Sequence, residues 1–457
     1  MQLIPGEAKH EQLARDEGAG DDKHSASRLI KGTTQHKPTN FDGQGLIGIL
    51  RHPLSILLVC LPFGVASHFL EWGKVLTFWL NFFAMVPLAK ILGDATEELA
   101  AGLRNDMLAG LLNATFGNVV ELVLTVQTLR QGLYDVVKAT LLGSVLSNML
   151  LVLGMSFFFG GIVKSDVRKN ASNVSALMTD MATPRKSPRE VATALAPTPV
   201  AEYSAFQVEK VQKFGVLGAL VNISMLLLSC LSFVIVTIFR SVTEEHSMEE
   251  SLLPVSRTCA LVMISAYAAY IVFQLGTHRT VLAEEVNEET EGDDEEPSLS
   301  LRTSMMLLFF TTVLVACCSE MLVEAIRGVT ESAHMSQHFI GIVLLPIIGN
   351  ACEHAAAVRF AMRDKLGLSI GIAVGSSTQI SLFAVPFSVL AGWAMNRPMD
   401  LDYGALNTSV MTVSVVVVLS MVVDGQSNWL QGYLLMCAYV VIAICYWHLP
   451  NELPELD

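Results

Sequence analysis

Apolar residues along this chain gather into blocks of about 18–28 positions, separated by short polar breaks. A helix of that length crosses a bilayer hydrocarbon core of about 30 Å. The pattern predicts eleven such helices, over 53–70, 75–92, 107–129, 136–163, 214–239, 255–276, 303–326, 339–362, 368–394, 405–423 and 430–449. Three polar stretches interrupt it. The tail 1–52 and the insert 165–212 have no apolar period and read as disordered segments. The third stretch, "AEEVNEETEGDDEEPS" over 283–298, carries nine acids: Glu284, Glu285, Glu288, Glu289, Glu291, Asp293, Asp294, Glu295 and Glu296. Such a run reads as a solvated linker between two halves, and it would also raise the cation concentration at a nearby mouth. No amino-terminal signal peptide is expected, because residues 1–50 are polar, so insertion would rely on the first helix.

Composition agrees with a membrane protein. Hydrophobic residues make up 52% of the 457 and charged residues only 16%, with a mean hydropathy of +0.50. A soluble chain carries about 25% charged residues. Placing the amino terminus in the cytosol puts roughly 22 of the 29 Lys and Arg on the cytosolic side. An odd helix count then puts the tail 450–457 in a lumen or outside. The net charge of −14 comes largely from the acidic run, so it implies no nucleic-acid partner. All eight cysteines fall within the apolar blocks without a CxxC pair, which suits packing rather than a disulfide framework or zinc site.

One motif recurs. Gly117-Asn118-x-x-Glu121 returns 232 positions later as Gly349-Asn350-x-x-Glu353. The same shift carries Gly143-Ser144 onto Gly375-Ser376 and Gly160 onto Gly392. Upstream, "GDATEEL" parallels "CCSEMLVE", with Glu97 opposite Glu320. The repeats run over 75–276 and 303–449, five helices each, after a lone helix at 53–70. Five is odd, so the second copy is inverted in the membrane. Inverted repeats mark secondary transporters and place the site where the copies meet. The expected fold is therefore all-α and polytopic, one helix plus two inverted five-helix repeats.

An ionised carboxylate at the bilayer centre costs at least ~2.5 kcal/mol. Two symmetry-related ones, each three residues after an Asn on the same helical face, read as a cation site rather than structural glue. The next helix of each copy adds Ser144, Ser147 and Asn148, or Ser376, Ser377, Thr378 and Gln379. Together they suggest an all-oxygen cage for a hard divalent cation such as Ca²⁺. Cys352 and His354 point about 100° away from Glu353 and are expected behind the ligands. Two facing carboxylates in low dielectric cannot both stay ionised cheaply, so they take up protons when the cation leaves. His354 could tune that coupling, or be a satisfied buried histidine. Glu97, Glu98, Glu320 and Glu324 lie near helix ends. The repeat favours an ion-pathway or gating role for Glu97 and Glu320; the other two could equally be solvated.

These residues resemble the Ca²⁺/cation antiporter superfamily, and within it the vacuolar-type calcium/proton exchangers. "GNVVELVLTVQTLRQG…LLGSVLSNMLLVLG" is similar to that family's first signature repeat and "PIIGNACEHAAAVRFAMRDKLGLSIGIAVGSSTQISLFAVP" to its second. The acidic run is similar to the helix joining the family's halves. The resemblance implies eleven helices and cation ligation by Glu121, Glu353, Asn118 and Asn350, with help from Ser144, Ser376 and Gln379. It further implies alternating access by sliding of the helices that carry Glu97 and Glu320. The implied place is a vacuolar or other acidic-organelle membrane, with the carboxyl terminus luminal. Val119-Val120 and Cys352 depart from the family pattern without removing a ligand, and the insert 165–212 is not a general family feature. The cargo is Ca²⁺ and H⁺, with Mn²⁺ or Cd²⁺ as further or alternative ions, and no cofactor is expected. A homo-oligomer and a regulatory partner of the tail stay open. The alternatives are a sodium-driven Ca²⁺ exchanger, which would call for separate Na⁺ sites, and a duplicated cation channel. An enzyme is disfavoured: there is no HExxH and no GxSxG, and the two acids are symmetric rather than split into unlike roles.

Overall fold

The apolar blocks become helices because an unsolvated backbone must satisfy its own polar groups. The computed structural model describes residues 41–103, 106–163, 210–243, 248–278, 298–333 and 335–450. The tail up to residue 40, most of the insert, the whole acidic run Glu284–Glu296 and residues 451–457 lie outside these. A short α1 (Phe41–Leu50) meets α2 (Pro53–Phe69) at a bend of 80°. Pro53 suits the first turn of α2, where its missing N–H costs nothing. There follow α3 (Lys74–Gly102), α4 (Asp106–Phe116), α5 (Val119–Arg130), α6 (Tyr134–Ile162), α7 (Val216–Val242) and α8 (Glu250–Thr277). The second half holds α9 (Leu301–Ala333), α10 (Gln337–Met362), α11 (Leu366–Ala394), α12 (Gly404–Val422) and α13 (Trp429–His448).

Among the described residues nine helices are long and apolar enough to cross a membrane, ten if α1 and α2 count as one broken span. The helix predicted over 107–129 is not one of them. It breaks at Gly117-Asn118, where Asn118 leaves helical geometry (φ −106°, ψ 20°). Gly and Asn are poor helix formers, yet the same pair in the second copy stays inside a continuous α10. The pair permits a break and the surroundings decide it. A count of eleven thus requires α1–α2 and α4–α5 each to be one crossing. The repeat does show in the backbone: π-helical turns recur at Ser147–Val152 in α6 and Ile380–Ala384 in α11. Such widened turns tend to mark functional positions.

Two buried apolar clusters flank the middle of the bundle. One, including Phe78, Met85, Leu92, Leu322 and Ile326, joins α3 to α9. The other, including Leu142, Met149, Phe157, Leu226, Leu382 and Val415, unites α6, α7, α11 and α12. Outward-facing Phe309, Phe310, Val413 and Val441 are exposed, as a lipid-contacting surface requires. Polar ties close both ends. At one end, hereafter the linker end, β1 (Gln212–Lys213) pairs antiparallel with β2 (Gln426–Ser427), and Lys210 meets Asp364 at 2.8 Å. Glu98 there accepts hydrogen bonds from the backbone N–H groups of Ser298 and Leu299 at 2.8 and 3.0 Å, which gives it an anchoring place rather than an open one. At the opposite end Lys138 meets Asp400, and Arg240 meets Asp402, each at 2.7 Å.

Candidate cation site

Both motif glutamates come to the same region, between α5, α6, α10 and α11. Glu121 sits in the first turn of α5, just after the break, and is 3% exposed. Anions are favoured at a helix amino terminus. Its carboxylate occupies the space left by Gly349: a Cβ on that glycine would lie 2.0 Å from Glu121 Oε1. Glu121 Oε2 is buried with no hydrogen-bond partner among the described residues. Glu353 is held more fully. Ser376 Oγ donates to its Oε1 at 3.1 Å, and Asn148 Nδ2 reaches its Oε2 at 3.3 Å. Asn148 Nδ2 also lies 3.1 Å from Ser376 Oγ. Glu121 packs against Gly349, which lies four residues and about one helical turn before Glu353 on α10.

The amides divide their tasks. Asn118 Nδ2 donates to Gln379 Oε1 at 2.6 Å and so ties the break in the first repeat to α11 of the second. Asn350, in the continuous copy, donates to the Ser144 carbonyl at 3.4 Å. Among the described residues, Asn118 Oδ1, Asn148 Oδ1 and Ser144 Oγ, all buried, have no hydrogen-bond partner. Buried oxygens cost free energy when unpaired, and a cluster of them around two acids is what a cation would satisfy. Among the described residues no group of three His, Cys, Asp or Glu could hold a metal ion. Amide, hydroxyl and carboxylate oxygens meet here, a donor set of the kind hard cations take.

The repeat-related acids Glu97 and Glu320 differ in setting. A cavity of about 250 Å³ joins Thr96, Glu97 and Asn113 to Glu353, Ser376 and Gln379, so Glu97 shares a space with the site. Glu320 is not on it; it lies 3.7 Å from Arg130 at the surface. Glu324 neighbours His68 at 3.8 Å. Cys352, expected behind the ligands, lines the cavity, whereas His354 Nε2 turns to Ser147 Oγ at 3.2 Å. Asn148 is the contact that symmetry reasoning underrated, because its counterpart 232 positions on is the apolar Ile380.

A bundle of long apolar helices that carries one motif twice and buries its two acids in one region defines a membrane ion transporter. Residues 73–183 and 303–447 match the sodium/calcium exchanger protein family, and the chain belongs to that family. It is 36% identical to vacuolar cation/proton exchanger 5 of Arabidopsis thaliana over 99% of this chain and 96% of that protein. It is also 36% identical to a Ca²⁺/H⁺ antiporter of Synechocystis, over 87% of this chain and 97% of that one. The solved structure of YfkE, a Ca²⁺/H⁺ antiporter, aligns with 87% of this chain and 100% of its own at a TM-score of 0.66 and 29% identity.

Proposed function

We propose that this protein is a Ca²⁺/H⁺ antiporter that moves cytosolic Ca²⁺ into an acidic organelle, such as a vacuole, in exchange for protons by alternating access. The observation that carries the reading is the meeting of Glu121 and Glu353 in one buried, oxygen-rich site. The naming of the relatives supports the same cargo. In this mechanism both glutamates bind Ca²⁺ as carboxylates, and each takes a proton when the ion leaves, because a low-dielectric site does not hold two bare charges. Asn118, Asn350, Ser144, Ser376 and Gln379 complete the ligands, with Asn148 holding Glu353. His354 acts behind them through Ser147. Glu97 guides the ion along the cavity that reaches Glu353, while Glu121 stays sealed, which fits a state open to the linker end. That end is cytosolic in this reading, and Mn²⁺ or Cd²⁺ would suit the same donors. Neither ion is a resident cofactor. The energetics suffice: one proton crossing one pH unit supplies about 1.4 kcal/mol, so two protons over two units sustain a roughly 10⁴-fold Ca²⁺ gradient.

Proteoliposomes with an acidic interior should take up ⁴⁵Ca²⁺ and stop when a protonophore collapses the pH gradient. A sodium gradient imposed in place of the pH gradient should drive no uptake. Uptake indifferent to pH but driven by sodium would favour sodium exchange. Uptake that needs neither gradient and carries current would favour a channel.

A further inference from the structure

Two cavities enter the bundle from the linker end, on adjoining faces of α11. The first is the acidic one past Glu97 to Glu353. The second, about 170 Å³, lies between α7, α8 and α11 and is lined by Asn222, Tyr270, Gln274 and Gln379, with no charged side chain on its wall. Gly371 and Gln379 line both. The second cavity therefore meets the candidate cation site at Gln379, the partner of Asn118.

Beside Gln379, α11 places glycines on these walls, Gly371 on both cavities and Gly375 on the uncharged one. A Cβ built on Gly371 or Gly375 has nothing within 4 Å, and the same holds for Gly93 on the wall of the acidic cavity. Other helix glycines, Gly143 among them, serve close helix crossing instead: a Cβ there would overlap the Ile342 backbone. A glycine inside a helix costs roughly 0.5–1 kcal/mol relative to alanine. At Gly371 and Gly375 no neighbour requires that cost, so the open space itself is what they provide. Polar groups edge that space: Tyr270 Oη donates to Asn222 Oδ1 at 2.8 Å, and both residues line the cavity with Gln274 and Gln379.

We propose that the uncharged cavity is the proton route, separate from the cation route past Glu97. A divalent cation sheds its water only for oxygen ligands rich in negative charge, which the acidic cavity supplies and the other lacks. Water needs only polar partners and about 30 Å³ per molecule, so the uncharged cavity has room for several. As Ca²⁺ reaches Glu121 and Glu353, the carboxyl O–H bonds break and the protons pass to that water beside Gln379. They leave at the linker end: one Ca²⁺ enters and two H⁺ depart.

The proposal rests on the antiport reading, and two transport modes separate the two. Exchange of ⁴⁵Ca²⁺ for unlabelled Ca²⁺ uses the cation route and alternation but moves no proton. In proteoliposomes of the full chain, Gln274→Leu should slow Ca²⁺/H⁺ exchange at least about fivefold and leave Ca²⁺/Ca²⁺ exchange within about twofold. Tyr270→Phe, which keeps the ring and loses the hydroxyl, should act in the same direction. Gly93→Leu, filling the acidic cavity, should slow both modes. The proposal fails if Gln274→Leu and Tyr270→Phe slow both modes equally, or slow neither. A wild-type protein that exchanges Ca²⁺ for Ca²⁺ but shows no pH-driven uptake would instead remove the antiport reading itself.

Discussion

Glu353→Gln is expected to lower pH-driven Ca²⁺ uptake at least about 100-fold, equivalent to about 2.8 kcal/mol at 1.4 kcal/mol per decade. The amide keeps the size of the carboxylate and can still meet Ser376 and Asn148, so little of the packing changes. What disappears is a charge that the divalent ion needs and a group that can release a proton. Hydrogen bonds to charged groups are worth about 1.5–3 kcal/mol each, and the loss of an ionic ligand is at least of that order. Glu121→Gln should lose transport to the same extent for the same reason. Its effect on the fold should differ, because Glu121 Oε2 is buried without a partner and no contact is broken. Thermal unfolding in detergent should therefore find Glu121→Gln no less stable than the wild type. Transport lost together with stability would place Glu121 in the scaffold instead.

Gly349→Ala should reduce uptake about 10- to 100-fold, although one methyl is added and no ligand is touched. That methyl would occupy the position of Glu121 Oε1. The carboxylate must then shift from its place, and misplacement by about 1 Å costs positioned chemistry on the order of 10²-fold. Shortening the acid should relieve the crowding. In a double-mutant cycle, Gly349→Ala and Glu121→Asp should couple, the double variant transporting no worse than the poorer single one. Strictly multiplicative losses would mean that Gly349 acts elsewhere, for instance through the continuity of α10.

The motif spacing made the two glutamates legible, since acids in apolar blocks are expensive and these recur at the same shift. The helical character of the fold followed from block length. What escaped was whatever the repeat does not share. Identical Gly-Asn pairs give a broken chain before Glu121 and a continuous α10 before Glu353, a difference set by neighbours and not by the pair. Asn148 touches Glu353, yet its repeat counterpart is isoleucine, so symmetry gave no reason to single it out. Glu97 and Glu320 looked equivalent in sequence. One faces the site cavity and the other an arginine, as expected if a single conformation opens only one of two symmetric paths.

The central claim is that one site serves both the cation and the protons. Titrating the purified protein with Ca²⁺ by calorimetry, in buffers of different ionisation enthalpy, counts the protons released on binding. The account predicts release of about two protons per Ca²⁺ where both carboxyls start protonated, falling as pH rises and the free site ionises. Binding whose heat does not depend on the buffer anywhere between about pH 5 and 8 would contradict it.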